Sequence, residues 1–477
     1  MMLRTPAACR VLAAVEAACV LGASAVVQTR SVSSRVLQPL PTRTRIRTKR
    51  QEMENYRDVQ YFANISVGGQ QITGIIDTGS FELVVFESHC AGCGRAALYN
   101  SDLSNKFSKG PLSRGLFYGS GDIYAREAFD QVEIGPFTAV NQSFWEAYEA
   151  SMPVLHQARF QSIIGVGPPE MPSAEAWKET KKSVEGILDT INTKGSVQKW
   201  QTDKVLNDLN FSMEISIEPV MLNSYNITLF SLCLLNPPGS SGYFVWNDTT
   251  VLEQPSFFKR VQILGRHTWA IGMTNVRVAP RWPDAEPIQI ACNSTCGAIV
   301  DSGTSLIMMP SQVVTKLEST LQHMGATDCR YMQDLPDLVF TLDGHTFSLP
   351  PDAFLSEVDE IPQYMESFAR VRNLLPEQVD GCKLLVMESY STSELGPLWI
   401  LGMPFFRRYY TTFNVGATHE DRSLYVAPAS ADCYPEEPSS SLARSSQRET
   451  FRRRLPLSQM YLPPIVKKAA EGGFMSL

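Results

Sequence analysis

The sequence predicts an all-β protein with minor helices, arranged as two similar lobes. Two observations carry this. From Gln51 onward the chain runs in short stretches of alternating apolar and polar residues, broken by Gly, Asn and Pro, which is the pattern of strands and tight turns. One short pattern also occurs twice, as "GIIDTGSFELVVF" from Gly74 and "AIVDSGTSLIMMP" from Ala298. It places Asp77 and Asp301 in matching apolar settings 224 residues apart. At 477 residues the chain is long enough for two or three cores.

Residues 1–25 read as a signal peptide. Arg4 and Arg10 lead into the apolar run "VLAAVEAACVLGASAVV", and Ala23-Ser24-Ala25 is a small-x-small cleavage pattern. Glu16 interrupts the run, and 17 residues are short for the alternative, an uncleaved anchor. No other stretch is long and apolar enough to span a bilayer. Residues 26–50 form a basic arm with seven Arg and Lys and no acid, against a net charge of −7 for the whole chain. Such an arm suits nucleic acid, an anionic membrane surface, or a propeptide lying over an acidic cleft. The body shows no basic face, so nucleic-acid binding is not expected, and the propeptide is preferred on the resemblance described below. The arm ends in Arg47-Thr48-Lys49-Arg50, which looks like a proprotein-convertase site; a solvated charge run is the plainer alternative.

Residues 51–235 are expected to form the N-terminal lobe. "QYFANISVGGQQITGIID" reads as strand, Gly-Gly turn, strand. Within this lobe, residues 173–209 have helical spacing and many charges, and one or two surface helices are expected there. Residues 236–433 are expected to form the C-terminal lobe, with strands at "DLVFTLDGHTFSL", "LLVMES" and "YYTTFNVG". From Tyr434 the composition turns to Pro, Ser, Glu and Arg, and residues 434–477 are read as a disordered tail.

Of ten cysteines, Cys9 and Cys19 lie in the signal region, leaving an even eight, which agrees with an oxidising compartment. Cys90, Cys93, Cys292 and Cys296 could alternatively hold zinc, but the second pair is spaced CxxxC and no His pair stands nearby. Six N-x-[ST] sequons, at Asn64, Asn141, Asn210, Asn226, Asn247 and Asn293, agree with a secreted glycoprotein.

A single Asp-[Thr/Ser]-Gly is an ordinary turn, but two in matched lobes bring two carboxylates to a pseudo-twofold axis. Gly79 and Gly303 permit the tight turns. Buried carboxylates need partners, and two that share one site cannot both ionise easily. The pair then performs general acid–base chemistry on a bound water, with no metal and no cofactor. Asp77 and Asp301 are the catalytic candidates. Ser80 and Thr304 are placed to hold the outer carboxylate oxygens.

At these residues the chain resembles the pepsin-like (A1 family) aspartic proteases, the usual illustration of a proton shared between two carboxylates. The resemblance covers roughly residues 58 to 428. "GLFYGSGD" is similar to the family's flap tip, making Tyr118, Gly119 and Ser120 substrate-binding candidates. "ACNSTCGAIVDSGTSL" and "LWILGMPFFRRYYTTFN" resemble the second catalytic turn and the late strands. The resemblance implies two β-barrel-like lobes with the active-site cleft between them. It implies an aspartic endopeptidase (EC 3.4.23 class) made as a zymogen in the secretory pathway, then secreted or held in an acidic vacuole or secretory organelle. Protein or peptide substrates and a monomeric state are expected. It further implies disulfides Cys90–Cys93, Cys292–Cys296 and Cys329–Cys382, and the two cysteines left over, Cys233 and Cys433, are expected to pair and staple the lobes.

Some positions depart from the family pattern. Val84 stands where a Trp normally supports the flap Tyr, Met403-Pro404 replaces Asp-Val, and the Cys90–Cys93 loop is tight. Two other readings are a pepsin-like binding protein without turnover and an interaction protein built on the basic arm and tail. Intact Asp77 and Asp301 favour the protease.

Overall fold

The computed structural model describes residues 49–215, 220–281, 285–325, 329–358, 361–373, 383–438 and 450–477. The expected signal peptide, nearly all of the basic arm and Cys382 lie outside the described residues, so the pair Cys329–Cys382 does too. The chain is mostly β, and its strands form two large sheets.

The first lobe is organised around the strand Gln70–Asp77. It pairs antiparallel with Gln60–Val67 and parallel with Ser162–Gly165, which in turn pairs antiparallel with Leu83–Ala91. The chain thus leaves a strand at Asp77, turns, and comes back one strand further along, with Ser162–Gly165 lying between. The second lobe repeats this arrangement. Cys296–Val300 leads into Asp301 and pairs parallel with Gly396–Leu401, which pairs antiparallel with the returning strand Met308–Pro310. Every residue of Cys296–Val300 and Met308–Pro310 is buried. That explains why both Asp turns sit inside continuous apolar runs rather than alternating ones. Backbone bonds repeat as well: the amide of Gly167 donates to Ser80 O at 2.7 Å, and that of Met403 to Thr304 O at 2.8 Å.

The two lobes share an interlobe sheet. Leu229–Leu234 pairs with Gly242–Trp246 on one side and with Tyr409–Asn414 on the other. Its core is aromatic: Phe230 stacks on Phe413 with centroids 4.7 Å apart, and Trp269 meets Phe413 edge-on at 5.3 Å. Trp269 also donates from Nε1 to Val166 O at 3.1 Å, tying the second lobe to the strand beside Asp77. Cys233 on Leu229–Leu234 is bonded to Cys433, closing 200 residues of chain. Cys90–Cys93 and Cys292–Cys296 are also disulfides, so the four cysteines weighed as zinc ligands are taken.

The boundary drawn at Arg50 falls inside a strand. Lys49–Tyr56 pairs with Gly242–Trp246, with Lys49 opposite Trp246. The Arg50 guanidinium lies 3.5 Å from the Tyr243 ring centroid and 4.2 Å from that of Tyr434, and donates to Cys433 O at 3.1 Å. Among the described residues, 172–215 fall in a different compact unit from the two lobes. Here the helices Met171–Lys194 and Lys199–Ile215 are held together by Thr180 Oγ1 and Ser212 Oγ at 2.7 Å and by Lys204 Nζ, which donates to Ser183 Oγ at 2.8 Å.

The reading of 434–477 as disordered is corrected for its last part. Residues 454–455 pair with the strand Leu355–Val358, Pro464–Glu471 is helical, and 473–474 pair with 391–393. Leu455, Leu457, Met460, Leu462, Ile465, Val466 and Ala469 are buried in one core cluster with Leu306, Met308, Leu385, Met387 and Ile400. The Pro, Ser and Arg composition that suggested disorder belongs to residues 434–450; the apolar spacing of "LPLSQMYLPPIV" belongs to a packed segment. No helix among the described residues is long and apolar enough to cross a membrane.

Closing so long a loop constrains the unfolded chain. Replacing Cys233 and Cys433 together with Ala is expected to cost about 3 kcal/mol. Denaturant unfolding of the variant, with the other disulfides intact, measures this, and an unchanged midpoint would show that the bridge contributes nothing.

Candidate functional site

Asp77 and Asp301 end equivalent strands and meet at the lobe junction, both fully buried. Each is held in the same way by its own turn. Gly79 N donates to Asp77 Oδ1 at 2.9 Å and Ser80 Oγ to Asp77 Oδ2 at 2.7 Å. Gly303 N donates to Asp301 Oδ1 at 2.9 Å and Thr304 Oγ1 to Asp301 Oδ2 at 2.5 Å. The inner oxygens are thus fixed by backbone and the outer ones by hydroxyls.

The turns are also bonded to each other. Thr78 N donates to Ser302 Oγ at 3.1 Å, and Ser302 N to Thr78 Oγ1 at 2.8 Å. The hydroxyls then reach across: Thr78 Oγ1 donates to Val300 O at 3.1 Å and Ser302 Oγ to Ile76 O at 2.8 Å. Thr78 and Ser302 were not among the site residues read from sequence. The signal was present, since both copies of the repeat carry a hydroxyl residue directly after the Asp.

The turn glycines have a reason other than backbone freedom, since neither Gly79 nor Gly303 takes a positive φ. A Cβ on Gly303 would sit 2.4 Å from Asp77 Oδ1, and one on Gly79 would sit 2.8 Å from the Asp301 carboxyl. Each glycine is the gap through which the opposite carboxylate approaches.

Burial raises both carboxyls above the ordinary range. For Asp77 the effect is opposed by bonds from Ser80, Tyr461, Asp301 and Gly79. Asp301 goes well above that range, because burial is joined by the charge of Asp77. Both directions favour one proton held by the pair as a unit, with Asp301 the carboxyl raised further. This is a one-proton pair suited to activating a water and polarising a carbonyl together.

Tyr118, Gly119 and Ser120 form the tip of a hairpin in which Ser108–Tyr118 pairs with Gly121–Ile134. Tyr118 is buried. Val84, in the place of the family's Trp, is paired with Trp145 and Ile163. The hairpin stem is tied instead by Arg114, whose Nη1 meets Glu82 Oε1 at 2.8 Å beside the first turn.

One more side chain reaches the pair, from a place the sequence reading left empty. Tyr461 is fully buried, and its hydroxyl donates to Asp77 Oδ2 at 2.8 Å. Burial and the Asp77 charge push this phenol well above its usual range, so it stays protonated and remains a donor. Its ring packs on Tyr118 with centroids 5.8 Å apart and edge-on to Phe160 at 6.4 Å. The hint in the sequence was the aromatic-apolar-Pro-Pro cluster around it, hidden behind a polar stretch.

A model of the eukaryotic aspartyl protease family matches residues 60–207 and 223–421. The chain belongs to that family. Among curated proteins it is 27% identical to pepsin A of Sus scrofa over 76% of this chain and 80% of that protein. It is 26% identical to pepsin-3 of Oryctolagus cuniculus over the same shares. It is an aspartic-type endopeptidase with a bilobal, all-β, pepsin-like fold. The matched region ends at residue 421, before the segment that carries Tyr461.

Because Asp301 keeps a proton that the unfolded chain releases above the ordinary carboxylate range, its contribution to stability is full below that range. It is lost as pH rises through the folded value. Asp301→Asn does not titrate, so its stability relative to the parent is expected to rise as pH climbs from about 4 towards neutrality. Unfolding midpoints at the two ends check this, and a difference independent of pH would overturn it. Gly303→Ala is expected to part the carboxylates and lower kcat/KM by at least about a hundredfold; near-parental turnover would show that the approach is not needed.

Proposed function

We propose that Asp77 and Asp301 are the catalytic residues of this endopeptidase. Asp77, ionised, takes a proton from a bound water. Asp301, protonated, donates to the scissile carbonyl oxygen of an extended protein substrate. Water attack gives a tetrahedral diol, and the protons then pass back as the amine leaves. The observation that carries this reading is the reciprocal bonding of the two turns, which holds two buried, partnered carboxylates at one point. Ser80 and Thr304 keep the two groups oriented, and Tyr118, Gly119 and Ser120 cover the substrate. No step calls for a cofactor.

The same reading extends to the route the protein takes. It enters the secretory pathway as a zymogen through the signal in residues 1–25, acts as a monomer, and works in an acidic organelle or outside the cell. Three disulfides fit an oxidising compartment. Five of the six sequon asparagines are exposed and Asn247 is half-buried, as glycan attachment needs. Processing after Arg50 by a convertase remains part of the proposal, with a constraint. Lys49 and Arg50 lie in a paired strand, so the bond is accessible only while that strand is open.

Cleavage of a denatured protein between about pH 3 and pH 7 tests the pair. Asp77→Asn and Asp301→Asn are each expected to lower turnover by about a thousandfold, and a statine-type transition-state analogue to abolish it. The parent profile should fall on both the acid and the alkaline side, with two apparent pKa values that belong to the pair. Activity that survives either substitution would remove the pair from the mechanism.

A further inference from the structure

The residues around Tyr461 do more than place one hydroxyl. Leu462 O accepts from the flap amides of Gly119 at 3.0 Å and Ser120 at 3.4 Å, and Leu462 N donates to Ser120 Oγ at 2.6 Å. A Cβ on Gly119 would lie 2.8 Å from Leu462 Cβ, and one on Gly303 would lie 2.8 Å from Pro463 Cγ. Residues 461–463 therefore pass between the flap tip and both Asp turns. On the near side, Gln459 O accepts from Gln60 Nε2, and its own Nε2 lies 3.2 Å from Gln157 Oε1.

We propose that residues 452–466 are a resident peptide ligand of the catalytic cleft, an inhibitor carried in cis at the C-terminal side of the protease. This rests on the assignment of Asp77 and Asp301 as the catalytic pair. Three features fit inhibition and not turnover. The group offered to Asp77 is a phenol, which has no carbonyl to attack and occupies an oxygen of the carboxylate assigned to deprotonate the water. The flap's backbone donors are already used by Leu462. The bond that follows, Leu462–Pro463, is a tertiary amide with no N–H, set beside the Gly303 turn and continued by Pro464.

The segment is anchored at both ends. Before the cleft, Arg453 pairs with Asp352 at 2.8 Å with both side chains buried, and Arg452 pairs with Glu357. The Arg453 carbonyl accepts from Glu357 N and Ser356 Oγ, each at 2.9 Å. After the cleft, Pro464–Glu471 buries Ile465, Val466 and Ala469, and Ala469 O accepts from Tyr390 N at 2.9 Å. Leu477 O then accepts from the amides of Arg266 at 2.7 Å and His267 at 3.1 Å. An occupant tethered in this way competes at the effective concentration of an intramolecular ligand, so a substrate must displace it before binding.

The test uses the full chain and a variant carrying Tyr461→Ala with Leu462→Ala, which leaves both anchors in place. Two readouts report occupancy without turnover: affinity for a statine-type peptide, and hydrogen exchange at the Gly119 and Ser120 amides. The variant is expected to bind the statine peptide at least about tenfold more tightly and to lose protection at both amides. A synthetic peptide of residues 452–466 is expected to restore the protection. Tyr461→Phe, which keeps the ring and removes only the hydroxyl, guards against a folding artefact and should shift affinity the same way by less. Equal statine affinity in parent and variant, with both amides exchanging freely in the parent, would overturn the proposal. If occupancy behaves as expected but the opened variant cleaves nothing, the cis ligand stands and the catalytic assignment fails.

Discussion

The structure depends on the exchange of hydrogen bonds between Thr78 and Ser302. Four bonds join the two Asp turns, each hydroxyl accepting from the opposite backbone amide and donating to a carbonyl of the opposite lobe. Individually such bonds contribute about 1 kcal/mol. Their value lies in geometry. The carboxyls are carried by separate lobes, and a pair that shares a proton tolerates little relative movement. A junction closed only by apolar packing would leave that spacing free to vary. The interlobe sheet, the Phe230–Phe413 stack and the Trp269 bond to Val166 keep the lobes together; the hydroxyl exchange sets the distance at which they meet.

Burial then sets the chemistry. Both carboxyls are removed from water, so neither would stay charged unaided. Asp77 gathers donors from Ser80, Gly79 and its partner, while Asp301 also faces the charge of Asp77. The near-symmetric turns thus have asymmetric electrostatic surroundings. That asymmetry follows from occupancy as well as from sequence, since one donor to Asp77 is Tyr461. A ligand that withdrew this hydroxyl would leave the two environments more alike, and the proton freer to move between them, which a reaction with two proton transfers needs.

The lobes and the pair were legible in the sequence because they rest on local chemistry repeated twice. Apolar strands, an Asp, a hydroxyl residue and a Gly in fixed order have one sensible arrangement, and the second copy removes the doubt a single turn leaves. Two things were not legible. The reason for Gly79 and Gly303 is the approach of a carboxylate from the other lobe, a long-range contact that reads locally as a turn preference. The placement of residues 451–477 was missed because composition was averaged across a boundary. Residues 434–450 are polar and rich in Ser and Arg, and that character was extended over a following segment whose apolar residues match the second lobe's core.

The C-terminal segment also changes what the basic N-terminal arm has to do. An arm of about 25 residues was expected to cover an acidic cleft by ion pairs. In the structure the space beneath the flap is held by residues 461–463, with donors, acceptors and rings all engaged, and Arg50 at the end of the arm is bound between Tyr243 and Tyr434 far along the interlobe sheet. Opening the cleft requires release at Tyr461 and Leu462, against anchors at Arg453 on one side and the helix Pro464–Glu471 on the other. Cutting one anchor leaves the segment tethered by the other, so one cleavage weakens occupancy by lowering effective concentration only if the freed end can leave the flap. Control of this protease therefore resides in the competition between substrate and its own C-terminal segment for the Gly119 and Ser120 amides.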